Sequence, residues 1–244
     1  MADLDIVIPV FNEGENINKV LDALRRSVRT NFRVLICYDR DDDNTLEALN
    51  CRVDSEVEVV PVKNSGAGAH SAVLSGFHAS DAAAVIMTPA DDTANAGIID
   101  EMVRRFRDGA DIVVASRFMP GGKMVGCPWL KALLVRISAI TLYHVAGLPT
   151  RDASNGLRLF SRRVLDSVAI ESSMGFAYSI ELLVKCHRLG WPIIEIPAVW
   201  IERTTGSSRF HVIKWLPDYL RWYFYAFGTA FLRRRRVSFR SETG

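Results

Sequence analysis

In the first 115 residues, short Val/Ile-rich runs alternate with segments of helical periodicity, and this constrains the fold more than any other feature of the chain. The runs fall at Asp5–Val10, Phe32–Tyr38, Glu56–Val62, Ala83–Thr88 and Asp111–Ala115. They are apolar almost throughout, as strands covered on both faces are. Helical patterns fill the gaps: Asn16–Arg26, a stretch from Thr45, Ala69–Ala79 and Ala96–Arg107. Such a repeat implies an α/β fold with a mostly parallel sheet and helices on both faces. Ligands of these sheets bind beyond the carboxyl ends of the strands. Chemistry is therefore expected at Phe11–Glu13, Tyr38–Asp43, Pro89–Asp92 and Ser116–Phe118. The second half is less regular, with a strand at Leu157–Ser161, a helix at Phe176–Leu189 and a strand at Pro192–Trp200. Without repeats or low-complexity linkers, the chain reads as one domain over residues 1–212 and a C-terminal extension over 213–244.

An apolar share of 49% and a charged share of 24% suit a globular protein with a full core. The net charge of only +2 argues against a nucleic-acid partner. Cys37, Cys51, Cys127 and Cys186 are widely spaced, which disfavours a structural zinc site or a disulfide framework and fits a reducing compartment. No basic-then-apolar leader opens the sequence, so a cytoplasmic location is expected. Trp129–Leu148 is mostly apolar but is interrupted by Lys131 and Arg136, each costly at a bilayer centre. Trp222–Leu232 is too short to span.

Acidic residues follow two of the expected strands: Asp39, Asp41, Asp42 and Asp43 after the second, Asp91 and Asp92 after Ala83–Thr88. A hard divalent cation such as Mg²⁺ takes one or two carboxylates together with substrate phosphates. Loop acids also cap the helices that follow them, and spacing alone does not separate the two readings.

Ile6-Val7-Ile8-Pro9-Val10-Phe11-Asn12-Glu13 resembles the opening strand of glycosyltransferase family 2. Asp39 through Asp43-Asn44-Thr45 resembles its second-strand acidic turn, and Gly68–Phe77 its third helix. Pro89-Ala90-Asp91-Asp92 stands where that family carries a D-x-D metal motif, with Pro89 in place of the first acid. Further on, Ala115-Ser116-Arg117-Phe118, Gly121-Gly122-Lys123, Asp152 with Asn155–Phe160, Gly175-Phe176 with Ile180-Glu181, and Glu195-Ile196-Pro197 with Arg203 and Gly206–Arg209 follow the polyprenyl- or dolichol-phosphate mannosyl/glucosyltransferase branch. The resemblance implies a GT-A fold, a nucleotide-diphosphate sugar as donor and a divalent metal, Mg²⁺ or Mn²⁺. It places Pro9, Phe11 and Glu13 at the base and ribose, and Asp39 as a hydrogen-bond partner of the base. Ala90 and Asp91 would lie at the ribose and diphosphate. Asp91, with Asp92 as its substitute partner, would hold the metal. Arg117, Arg203 and Arg209 would approach the phosphates, and Asp152 would contact a sugar hydroxyl. Structural alternatives stand beside these roles: strand-end packing for Pro9 and Phe11, helix entry for Glu13, a solvated loop for Arg117, and an ordinary helix pair with Lys185 for Glu181.

Glycosyl transfer leaves negative charge on the departing diphosphate, which fixed cations stabilise. A hydroxyl acceptor needs a general base; a phosphate acceptor is already ionised. The sequence offers arginines suited to phosphate more plainly than it offers a base. Inverting transfer to a polyprenyl phosphate is therefore expected. Transfer to a saccharide or glycolipid hydroxyl and a catalytically silent sugar-nucleotide binder are the alternatives. Trp215, Tyr219, Tyr223, Phe227 and Phe231 recur every fourth residue, followed by Arg233–Arg236 and Arg240. That pattern fits a helix lying peripherally on the anionic inner face of a membrane, or one docked on the core or in a homo-oligomer.

Overall fold

The computed structural model describes residues 3–52, 56–202 and 212–231. The chain opens with β1 (Leu4–Val10), α1 (Gly14–Ser27), β2 (Phe32–Tyr38), α2 (Asn44–Asn50), β3 (Glu58–Lys63), α3 (Gly68–Ala79), β4 (Ala84–Met87), a 3₁₀ turn at Ala96–Ile98 and α4 (Ile99–Arg107). It continues with β5 (Ile112–Ser116), β6 (Lys123–Val125), α5 (Trp129–His144), β7 (Arg158–Ser161), α6 (Arg162–Ser167), α7 (Ala177–Leu189), β8 (Ile193–Pro197), β9 (Val199–Ile201) and α8 (Val212–Phe231). These elements form two compact units: Met1–Asp108 with Gly156–Arg162, and Gly109–Asn155 with Arg163–Gly244.

In the first unit the strand order is β3-β2-β1-β4-β7. The pairings of β1 with β2, β1 with β4 and β2 with β3 are parallel, as the strand–helix alternation requires. β7 runs antiparallel to β4, with Met87 opposite Arg158 and Ala84 opposite Ser161. The sequence located this strand but not its direction or its return to the first unit. β1 is buried because it is central: Ile6, Val7 and Ile8 are wholly inaccessible. Pro9 is tolerated there because Val7 O receives Thr88 N–H on the β4 side. Two residues on, the donor that Pro9 lacks falls beyond the last β4 residue paired with β1. At the opposite end of the strand, Asp5 is fully buried and forked against Arg33, its register partner on β2, at 2.7 and 2.9 Å. That hydrogen-bonded pair raises the Arg33 guanidinium further above its usual range and compensates a carboxylate taken out of water.

Helix α1 buries Ile17, Val20, Leu21 and Leu24, the i, i+3, i+4, i+7 face of an amphipathic helix. Helix α3 comes closer to the sheet. A Cβ on Gly76 would stand 2.5 Å from Val7 Cγ1 and 2.7 Å from Cys37 Sγ, so only glycine permits this approach to β1 and β2.

In the second unit β5 pairs in parallel with β8, and β6 with β9. The run Pro192–Trp200, read from sequence as one strand, divides into β8 and β9. Ala198, between them, donates its N–H to Ser116 O and accepts from Lys123 N. Helix α7 is buried along nearly all its length, including Glu181 and Lys185, whose i, i+4 bond is 2.6 Å. Glu181 therefore has the structural role. Its two oxygens also take the N–H groups of Glu171 and Ser172, pinning the loop before α7.

Helix α8 lies on α7, and Trp215, Trp222, Tyr223 and Tyr225 contact the protein. Trp222 is 1% exposed, with the Lys185 ammonium 4.8 Å from its ring centre. Trp215 meets Phe176 edge-on, Tyr225 stacks with Arg188, and Tyr223 hydroxyl bonds Thr141 of α5 at 2.8 Å. The apolar α8 residues left exposed are Leu216, Leu220 and Phe224. The Phe231 side chain and the arginines at 233–236 and 240 lie outside the described residues. Helix α5 is the reverse case. Its residues Trp129, Leu130, Leu133, Leu134, Ile137 and Ile140 are between 46% and 77% exposed. Among the described residues, no helix is long and apolar enough to cross a membrane.

The close approach at Gly76 sets a first expectation. Gly76→Ala gains roughly 1 kcal/mol of helix propensity, but overpacking a filled core costs about 1–3 kcal/mol. The side chains it would strike are buried, so the loss dominates. Urea unfolding should show a net destabilisation with unchanged m-value.

Candidate active site

The first strand-end loop is built on three backbone amides. Asn12 N–H points at both oxygens of Asp43, at 3.0 and 2.9 Å. Glu13 N–H donates to Thr45 Oγ1 at 2.9 Å and Gly14 N–H to Asn44 Oδ1 at 3.0 Å. One tripeptide after β2 thus satisfies the orphan donors of another tripeptide at the start of α1, a cap supplied from outside the helix. Asp43, 4% exposed, also caps α2 by accepting Thr45 N–H. The bend forces Asn12 to φ 55°, a conformation asparagine tolerates better than most residues. It leaves Phe11 at 41% exposure over a recess of about 220 Å³ lined by Phe11, Asn12, Arg40, Asp42 and Asp43. Arg40, an unusual residue for so acidic a turn, is forked to Asp42 at the surface. Glu13 is half-buried and accepts from Asn16 Nδ2, a helix-entry contact.

Asp39 is half-buried at the end of β2. One of its oxygens receives Gly68 N–H at the head of α3, at 2.8 Å, and the other the Asn64 amide. It therefore ties the β3–α3 turn to β2. After β4, Ala90 is buried and Asp91 exposed. Asp92 is turned away: both its oxygens accept from Asn95 Nδ2 and one also from Asn95 N–H. Burial pushes the Asp92 carboxyl above the usual carboxylate range and neighbouring Asp91 adds to this, while the Asn95 bonds oppose it. Pro89 has no side-chain donor for a metal. One exposed carboxylate with a capping neighbour fits a hard divalent ion that arrives with a diphosphate, which needs one or two protein carboxylates.

The second unit carries Arg117 at the end of β5, 9% exposed. Its Nε and Nη2 grip the two oxygens of Asp152 at 2.7 and 2.8 Å, and its backbone N–H adds a third bond at 2.9 Å. Asp152 is wholly buried and also receives Ser154 N–H, Ser154 hydroxyl and Asn155 N–H. A carboxylate enclosed by that many donors positions Arg117 and the Ser154–Asn155 turn.

A parallel arrangement lies one residue earlier. Arg151 Nη1 bonds Glu195 Oε1, while Glu195 Oε2 receives Arg151 N–H at 2.7 Å and Thr150 hydroxyl at 3.2 Å. Arg117 and Arg151, with Arg136 from α5, line a cavity of about 410 Å³ with His144, Tyr143 and an apolar wall that includes Ala139 and Ile140. Sequence reasoning missed Arg136 and Arg151. The available signal was a cation breaking an otherwise apolar helix. Arg203 and Arg209 lie outside the described residues.

Parallel strands ending in anchored acidic loops, with a forked arginine after a further strand, are the places where an α/β enzyme binds its ligands. The chain belongs to glycosyl transferase family 2, whose model matches residues 5–169. It is 24% identical over 211 residues to a polyprenol monophosphomannose synthase of Mycolicibacterium smegmatis, covering 84% of this chain and 79% of that one. It is 28% identical over 210 residues to an undecaprenyl-phosphate mannosyltransferase of Micrococcus luteus, covering 83% and 85%. Its fold matches glucosyl-3-phosphoglycerate synthase of Mycobacterium tuberculosis, solved with Mn²⁺, UDP and glucosyl-3-phosphoglycerate. That match has a TM-score of 0.68 at 18% identity, over 93% of this chain and 80% of that one.

The cap from Asp43 sets a second expectation. Asp43→Ala strands two amides and should cost about 1–3 kcal/mol, with faster amide exchange at Asn12 and Thr45. Asp42→Ala, which removes only a surface partner of Arg40, should leave stability within error.

Proposed function

We propose that the protein transfers a hexosyl group, with inversion, from a nucleotide-diphosphate sugar of the GDP-mannose or UDP-glucose kind to a polyprenyl phosphate. The carrying observation is the cavity of the second unit, where Arg117, Arg136 and Arg151 converge beside an apolar wall. Guanidinium groups suit phosphate oxygens, and the apolar wall suits the chain of a phospholipid-like acceptor. The relatives named for transfer to polyprenol, and to undecaprenyl phosphate, support the same reading.

A phosphate monoester carries about −1.5 to −2 charges at pH 7. Its oxygen attacks the anomeric carbon without a base, and the nucleoside diphosphate departs. The commitment of Asp152 to six donors favours this over a hydroxyl acceptor. Arg117 and Arg151, held by buried acids, orient the acceptor. Arg203 and Arg209 keep the role the resemblance gives them at the donor phosphates. In the first unit Phe11 lies against the base, Asp39 holds the loops around it, and Asp91 binds the divalent ion with the diphosphate. Such an ion, Mg²⁺ or Mn²⁺, would supply charge neutralisation at the departing diphosphate.

Peripheral contact with an anionic membrane fits the exposed faces of α5 and α8 rather than the aromatic stripe of α8. The Arg233–Arg236 run adds about 1 kcal/mol per residue near such a surface.

Two assays test this reading. Labelled GDP-mannose and UDP-glucose are offered with Mg²⁺ or Mn²⁺ and either polyprenyl phosphate or neutral saccharides. Label should appear only in lipid phosphate, and Asp91→Asn should lose turnover while keeping its circular dichroism spectrum. Label in the saccharide, or wild-type rates in the variant, would falsify the scheme. Sedimentation with anionic vesicles should weaken with salt and fall when Trp129 and Leu134 are both replaced by Asp. Undiminished binding by that double variant would place the contact elsewhere.

A further inference from the structure

The turn after β2 holds one arginine among its aspartates, and three of those acids are engaged with other parts of the first unit. Asp39 accepts from Gly68 N–H and the Asn64 amide, Asp43 from the amides of Asn12 and Thr45, and Asp41 from the Lys63 ammonium. Asp42 turns instead to Arg40, and its two oxygens receive Nε and Nη2 at 2.7 and 2.5 Å. Both residues line the recess of about 220 Å³ at which the Phe11 ring is exposed. A fork made by Nε and Nη2 uses one hydrogen of each. The second hydrogen of Nη2 and those of Nη1 remain side by side at the tip of the guanidinium.

We infer that Arg40, braced by Asp42, selects the donor's nucleobase, and does so on the N7/O6 edge of a 6-oxopurine. The inference rests on the proposed reaction, since it assigns the base of the nucleotide-diphosphate sugar. Stacking on Phe11 cannot choose, because every base offers a π face. Choice has to come from a base edge. Two parallel N–H donors at the tip of a guanidinium fit two adjacent acceptors, which guanine presents as N7 and O6. Adenine sets an amino donor beside N7, so one N–H would face another. A pyrimidine such as uracil sets its O4 beside a carbon and offers a single acceptor there. Asp42 fixes the direction of the guanidinium before the base arrives, so less side-chain freedom is lost on binding. The other edge of the purine, with N1–H and the 2-amino group, takes no part in this contact.

Calorimetric titration of the full chain with nucleoside diphosphates and Mn²⁺, with no acceptor present, separates base recognition from transfer. GDP and IDP share N7 and O6 and should bind alike. ADP and UDP should bind about ten- to hundredfold more weakly, the span of one bidentate base contact. 7-Deaza-GDP, which keeps O6 and lacks N7, should fall between. Arg40→Ala should bring GDP down toward UDP while leaving UDP nearly unchanged. Arg40→Lys should recover little, since it has no planar fork, and Asp42→Ala should lower the GDP-to-UDP preference partway. Both side chains are exposed, so circular dichroism of the variants should match the wild type. UDP binding as tightly as GDP overturns the assignment, as does a preference unchanged by Arg40→Ala. Weak IDP together with tight 7-deaza-GDP also overturns it, because the amino edge is then the one read. Each of these outcomes leaves the donor reading standing. If no nucleoside diphosphate binds, the donor reading falls and the assignment falls with it.

Discussion

The loops at the carboxyl ends of β1 and β2 hang on the carboxylate of Asp43. It takes the amide of Asn12 with both oxygens and the amide of Thr45 with one, so a single buried side chain fixes the exit of β1 and the entry of α2 together. Thr45 and Asn44 complete the arrangement on Glu13 and Gly14. In many doubly wound proteins, the N–H groups at the head of the first helix bind a phosphate. Here, side chains from the next loop already occupy three amides at that point. In the proposed scheme the diphosphate would then fall to the loop after β4, where Asp91 is exposed, while the first loop holds Phe11 outward. A Cβ on Gly14 would lie 2.9 Å from Asn44 O, so the interlock also requires glycine.

The second unit applies the same economy to arginines. A guanidinium near a phosphate site is useful only if its direction is fixed, because a long flexible side chain loses entropy when it is captured. Asp152 fixes Arg117, and Glu195 fixes Arg151. Thr150-Arg151-Asp152 joins the two forks, since Thr150 donates to Glu195 and accepts the Asp152 amide. Arg136 differs: it stands on a helix whose other side is bare of protein, and its charge is not offset by a local acid among the described residues.

Much of this could be read from the sequence, and what could not has a physical reason. Continuous Val and Ile runs announced β1, β2, β4 and β5 because strands buried on both faces show no polar alternation. The strand-end acids were visible as residues, but not which carboxylates were already taken. Asp43 and Asp92 are occupied by amides that no one-dimensional pattern reveals, and the fork of Arg117 onto Asp152 joins residues 35 apart in sequence. The direction of β7 was hidden since a strand of only four residues, Arg158–Ser161, reads the same either way. The aromatic stripe of α8 marks a helix with one apolar side, but periodicity cannot say whether the covering surface is lipid or protein. For α5 the charges that argued against a membrane span gave no sign that Arg136 lines a cavity.

The return of the chain at Gly156–Arg162 bears on how the protein is made. The first unit receives its last strand only after residues 109–155 have been synthesised. Until then β4, whose residues are all buried in the finished protein, has an unpaired edge, and such edges template aggregation. Closing so long a loop is entropically slow compared with forming the local β1-β2-β3 layer. On the nascent chain the strand that covers β4 therefore becomes available only after the rest of its sheet has been synthesised. A break anywhere in the intervening segment would separate the sheet from the strand that seals it, so neither unit can be cut out by a single scission.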